Sequence, residues 1–111
     1  ITFNTLAVEK STTFTNEIFK QAQEDGKIVV INSWNKNCST CKKQIQILDQ
    51  AEKEFNEILF LSFEQTQEKE IAKLIGIDYW TTIVEYKDNE EKSRSIGETN
   101  KAKIYSQIKQ L

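Results

Sequence analysis

Histidine and proline are both absent from this sequence, and only two cysteines and three glycines occur in its 111 residues. Without histidine there is neither an imidazole base nor an imidazole metal ligand. Two thiols fall short of the four ligands of a structural zinc site, so any metal or cluster would need a second chain or an external thiol. Without proline, the usual origin of a cis peptide bond is missing. Dense Lys/Arg clusters are missing too: 15 basic side chains stand against 17 acidic ones, for a net charge of -2. Nucleic acid and anionic membranes are therefore poor candidates as main partners. No apolar run approaches the length that spans a bilayer. The chain has no linker, repeat or low-complexity segment, and 38% hydrophobic with 29% charged residues fits a folded globular protein. Residues 1–111 are accordingly read as one domain. The first residue is Ile1 rather than Met, read as the loss of an upstream segment with a cleaved export signal as the favoured source. The cysteine count leaves the compartment open.

What is present centres on Ser33-Trp34-Asn35-Lys36-Asn37-Cys38-Ser39-Thr40-Cys41-Lys42-Lys43. An apolar run precedes it and a helical pattern follows, so the Cys-x-x-Cys falls where a strand passes into a helix. The unpaired N–H groups and positive dipole end of a helix favour an anion, which holds a first-turn cysteine partly as thiolate. Cys38 is thus the candidate nucleophile. Cys41 follows three residues later on the same helical face, placed to attack a mixed disulfide formed at Cys38. A purely structural disulfide is the plainer alternative. Closing so short a loop is worth only about 2 kcal/mol, and a domain of this size scarcely needs it.

The rest of the pattern reads in order. Residues 1–8 alternate loosely and suit a short edge strand. Ser11, Thr12 and Thr13 offer N-caps to a helix through Phe14, Ile18, Phe19 and Ala22, which ends near Gly26. Ile28, Val29, Val30 and Ile31 form an apolar run typical of a central strand. After the cysteines, Ile45, Leu48, Ala51 and Phe55 mark an amphipathic helix. Residues 58–63 give a second buried strand, and Ile71, Leu74 and Ile75 a shorter helix stopped by Gly76. Residues 80–86 and 92–96 form a hairpin. A closing helix places Ile104, Tyr105, Ile108 and Leu111 on one face. The order β-α-β-α-β-α-β-β-α implies an α/β mixed sheet with helices on both faces.

On these residues the chain resembles the thioredoxin family over nearly its whole length. The shared marks are the apolar strand, Trp34 four residues before Cys38, the Cys-x-x-Cys, Lys42 after it, Ala72-Lys73-x-x-Gly76-Ile77, and Gly97 before the last helix. The resemblance implies a thioredoxin fold, a mixed sheet of about five strands flanked by four helices. Departures concentrate around the site. The family's buried carboxylate falls at Asn32, its partner lysine at Ser62, its second tryptophan at Asn37 and its Gly-Pro at Ser39-Thr40. Thr81 stands where the family carries a cis-proline facing the disulfide. A cis bond before a non-proline residue costs about 2.5–4 kcal/mol, so a trans Trp80-Thr81 bond is expected.

The reading is a thiol–disulfide oxidoreductase exchanging protein disulfides through Cys38 and Cys41, with reduction the favoured direction. Substrate is expected along the backbone of Trp80, Thr81 and Thr82 and beside a partly exposed Trp34. No bound cofactor and no resident metal are implied. A protein electron donor or acceptor is, and the chain is expected to be a monomer. Alternatives are an oxidase or isomerase of an oxidising compartment, or a thioredoxin-fold adaptor subunit. Since the family's proline is held to keep metal from the cysteines, Thr81 adds metal or cluster binding between chains as a further alternative.

Overall fold

The computed structural model describes residues 10–110. The edge strand expected at residues 1–8, and Leu111 on the last helix face, lie outside the described residues. In chain order the elements are α1 (Asn16–Glu24), β1 (Val29–Trp34), α2 (Ser39–Glu54), β2 (Leu59–Glu64), α3 (Lys69–Ile75), β3 (Thr82–Lys87), β4 (Glu90–Ile96) and α4 (Lys101–Lys109). The four described strands form one sheet in the order β2-β1-β3-β4. β1 and β2 are parallel, while β3 runs antiparallel to β1 and pairs with β4 as a hairpin. This is the expected fold, and the four strands expected after residue 8 are all present among the described residues.

Every residue of β1 is buried, because its period-two alternation feeds both faces of the sheet. Val29 and Ile31 join Phe14, Phe63 and Val84 on one side. Val30 joins Leu48, Ile83 and Ile104 on the other. Burying each such aliphatic chain contributes about 1.5–3 kcal/mol. The apolar stripe of α2 lies on the second side, and Ile104 and Ile108 of α4 pack there as their spacing predicted.

The hydroxyl cluster at residues 11–13 does not cap α1. That role falls to Thr15, whose hydroxyl oxygen accepts from the Ile18 N–H at 3.0 Å. The cluster instead runs beside β2, where the Thr13 hydroxyl accepts from Ser62 N–H at 2.9 Å and the Thr12 hydroxyl from Glu64 N–H at 3.2 Å. These short side chains satisfy backbone N–H groups of β2 that β1 does not pair.

Two contacts hold the hairpin end of the sheet. Asp88 and Asn89 both take positive φ, 53° and 63°, the backbone of a two-residue type I′ turn. Arg94 of β4 pairs with Glu91 at 2.7 Å and donates to the carbonyls of Ile75 and Gly76 at 3.0 and 2.9 Å. It thereby closes the C-terminal end of α3, where Gly76 supplies the left-handed residue (φ 72°).

Candidate active site

Cys38 is the N-cap residue of α2, and its Sγ accepts from the Cys41 N–H at 3.1 Å. The two cysteines are joined as a disulfide, with Cα atoms 5.2 Å apart. Their environments differ. Cys38 is half-buried, whereas Cys41 is fully buried and packs with Trp34 and Ile45. The end of β1 delivers the chain to this point, and the first turn of α2 presents the Cys38 sulfur to the helix N–H groups.

Trp34 is only 4% exposed, against the partial exposure expected for it. As the last residue of β1 it points to the α2 side, and its ring packs on Cys41 and Ile45 rather than lining a groove. Trp80 is 46% and Tyr79 62% exposed, beside the turn that carries Thr81. Thr81 and Thr82 are each 1% exposed, backbone included, so Tyr79 and Trp80 are what this turn offers outward.

The Trp80-Thr81 bond is cis, which overturns the expectation of a trans bond. That expectation rested on the preference of an isolated peptide, whereas tertiary bonds grip both flanks of this one. The Ser33 hydroxyl donates to the Tyr79 carbonyl and accepts from Thr82 N–H, each at 3.1 Å. The Thr82 hydroxyl donates to the same Tyr79 carbonyl. The Thr81 carbonyl accepts from Gly97 N–H at 2.8 Å.

Beneath the turn lies a buried polar cluster. Asn32 Nδ2 donates to Gln44 Oε1 at 2.6 Å and to Thr81 Oγ1 at 3.1 Å. The Thr81 hydroxyl donates to Gln44 Oε1, and Gln44 Nε2 donates to the Glu98 carbonyl at 2.9 Å. None of these bonds involves a charged group. The remaining oxygen of Asn32 has no protein partner. Asn32 lines a cavity of about 60 Å³ between α2 and β2, bounded also by Ser62 and Leu48, which is room for ordered water.

Gln44 escaped the sequence reading, though a signal for it was there. It lies one turn after Cys41 and one turn before Leu48, on the buried stripe of α2, and a polar residue on such a stripe calls for a partner. Glu85 is a second buried polar group on the same face of the sheet, directly across from Val30. Burial pushes its carboxyl up to about 7, against hydrogen bonds to Ser93 and Gln110 that pull it down. Among the described residues, no three Cys, Asp or Glu side chains gather as a set able to hold a metal ion.

A family model described as thioredoxin matches residues 6–110. The chain belongs to the thioredoxin family. Members are thiol–disulfide oxidoreductases acting on protein disulfides, and this chain, with its bonded Cys-x-x-Cys, is one of them. It is similar to a thioredoxin H-type of Fagopyrum esculentum, 24% identical over 82 residues that cover 74% of this chain and 71% of that protein. Among solved structures it is similar to Fasciola hepatica thioredoxin, with TM-score 0.74 and 25% identity, covering 83% of this chain and 88% of that one. Two further thioredoxin-type structures share its fold. Trxlp of Edwardsiella tarda gives TM-score 0.79 at 22% identity, covering 84% of this chain and 92% of that one. Oxidized mitochondrial thioredoxin 3 of Saccharomyces cerevisiae gives 0.75 at 22%, covering 86% and 89%.

Proposed function

We propose that this chain is a single-domain, monomeric protein-disulfide reductase in which Cys38 attacks and Cys41 resolves. The observation that carries the assignment is the asymmetry of the pair. Cys38 is half-exposed at the helix N-cap with an N–H aimed at its sulfur, and Cys41 is fully enclosed. A substrate sulfur can reach only the first, and the N–H that it accepts favours its thiolate.

In the reduced enzyme the Cys38 thiolate attacks one sulfur of a substrate disulfide, forming a mixed disulfide and expelling the other sulfur as thiolate. Cys41, deprotonated, then attacks Cys38 Sγ. The second substrate sulfur leaves as a thiolate, and the Cys38–Cys41 disulfide remains. Two electrons pass from enzyme to substrate, so a dithiol donor protein must restore the reduced pair. The substrate lies extended against the backbone of Trp80, Thr81 and Thr82, with the Trp80 ring at its side. Trp34 supports the Cys41 side from beneath instead of touching substrate. The reducing direction rests on the likeness to proteins named thioredoxin.

The test is reduction of insulin by dithiothreitol-fed protein, with the Cys38/Cys41 potential measured against glutathione buffers. A potential below the glutathione couple is expected, since that favours transfer to substrate. A potential above it overturns the direction and indicates an oxidase or isomerase. Cys38→Ser should abolish turnover, and Cys41→Ser should trap a mixed disulfide that dithiothreitol releases. A trapped adduct on Cys38→Ser instead would reverse the two roles.

A further inference from the structure

The hydrogens of the buried cluster can be assigned from its own logic. The Glu98 carbonyl can only accept, so the Gln44 amide nitrogen must face it, at 2.9 Å. Gln44 Oε1 therefore turns inward and must receive, which makes donors of the two groups that meet it. One is Asn32 Nδ2 at 2.6 Å, and the other is the Thr81 hydroxyl. With its single proton committed to Gln44, the Thr81 oxygen accepts the second Asn32 proton at 3.1 Å. Asn32, Gln44 and Thr81 are at most 3% exposed. One arrangement of protons places every donor of the set, leaving only Asn32 Oδ1 without a protein partner, and no member of it ionises.

The connections close a ring around the redox turn. The Thr81 carbonyl accepts from Gly97 N–H, the neighbouring Glu98 carbonyl accepts from Gln44, and Gln44 accepts from the Thr81 hydroxyl. Thr81 is thus held at both its carbonyl and its side chain, and the only side chain that spans the ring is Gln44. This residue lies on α2, six positions after Cys38 and three after Cys41, on the same rigid helix. Whatever fixes Thr81 to Gln44 also fixes the exposed Trp80 joined to it relative to the attacking sulfur.

We propose that Gln44 is a positioning residue of the redox site, which holds the Trp80-Thr81 turn in register with Cys38 for an extended protein substrate. The inference rests on the reductase reading above and deepens it. Gln44 touches no substrate atom and acts through Thr81. Its neutrality also means that no change of pH between 5 and 9 alters the grip, since amide and hydroxyl groups do not titrate there.

The experiment compares two disulfides in Gln44→Leu protein. Insulin must dock along the turn, whereas the small aromatic disulfide 5,5′-dithiobis(2-nitrobenzoate) presents no peptide backbone. Gln44→Leu should raise the KM for insulin about tenfold with kcat little changed, and leave the small-disulfide rate within about twofold. Thr81→Val, which removes the hydroxyl that Gln44 holds, should raise the KM for insulin by a similar factor, and the double variant should be no worse than either single one. Thr81→Val also serves if Gln44→Leu does not fold. Equal losses on both disulfides, an unchanged KM for insulin, or additive effects of the two substitutions would overturn the assignment. If wild-type protein reduces neither disulfide, the reductase reading falls and this inference with it.

Discussion

Asn32, Gln44 and Thr81 are as deeply buried as Glu85, and Asn32 lies on the same face of the sheet as that carboxyl, yet the two sites solve burial differently. The cluster under the redox turn uses neutral groups, with every donor matched and only Asn32 Oδ1 without a protein partner, and joins β1, α2 and two turns. Glu85 instead buries an ionisable group, which the Ser93 hydroxyl holds at 3.2 Å. An amide buried with its partners costs little, whereas a carboxylate there must give up its charge or its hydration. The first site therefore keeps its geometry as pH changes, and the second makes the fold itself respond to pH.

The largest expected effect comes from forcing the first site to behave like the second. In Asn32→Asp a carboxylate would face the oxygens of Gln44, Thr81, Ser33 and Thr82, all of which Asn32 now donates to. Stability at pH 8 should fall by about 3 kcal/mol, the cost of an unpaired buried charge. Part of the loss should return at pH 5, where a protonated carboxyl can donate again. Urea unfolding at the two pH values measures this, and equal stability to wild type at pH 8 would show that the cluster re-pairs around a charge.

The reverse substitution at the second site should act in the opposite sense. Glu85 has a folded-state pKa of about 7 against an ordinary 4.5. Between those values the folded chain holds a proton that the unfolded chain releases, so stability falls as pH rises from about 4.5 to about 7 and then levels. Glu85→Gln should remove that slope, stabilising the fold at pH 8 by about 2 kcal/mol and leaving it unchanged near pH 4.5. Thermal unfolding across that range decides it, and a wild-type profile already flat between pH 5 and 8 would erase the contrast.

Ser93→Ala gives the smallest effect and sharpens the difference. It takes away the hydroxyl that donates to Glu85 and should cost about 1 kcal/mol at pH 8. Since that bond lowers the Glu85 pKa, the midpoint of the stability profile should also move to higher pH. A loss of the same size in a Glu85→Gln background would mean that Ser93 contributes packing alone.

Much of this was open to reading from residue order. The apolar run at Ile28 to Ile31, the stripe of Ile45, Leu48 and Ala51, and the glycines at 26, 76 and 97 placed the elements within a few residues, because each signal is local. The cysteines declared their chemistry through spacing and position at a helix start. The burial of Trp34 is not legible there, since its proximity to Cys38 in the chain says nothing of which way the end of β1 points. The role of Gln44 is equally hidden, because a glutamine between lysine and isoleucine on a helix is ordinarily solvated. Only its partners, 12 and 37 positions away, show otherwise.

The sequence by itself determined the fold, the strand-to-helix seat of the two cysteines and the kind of reaction, because hydrophobic period, capping and motif spacing act over a few residues. The tertiary structure alone decided that Trp34 is covered, that the Trp80-Thr81 bond is cis, and that Asn32, Gln44 and Thr81 form one network. Those outcomes depend on hydrogen bonds between groups far apart in the chain, whose pairing exists only once the sheet and α2 have closed over them.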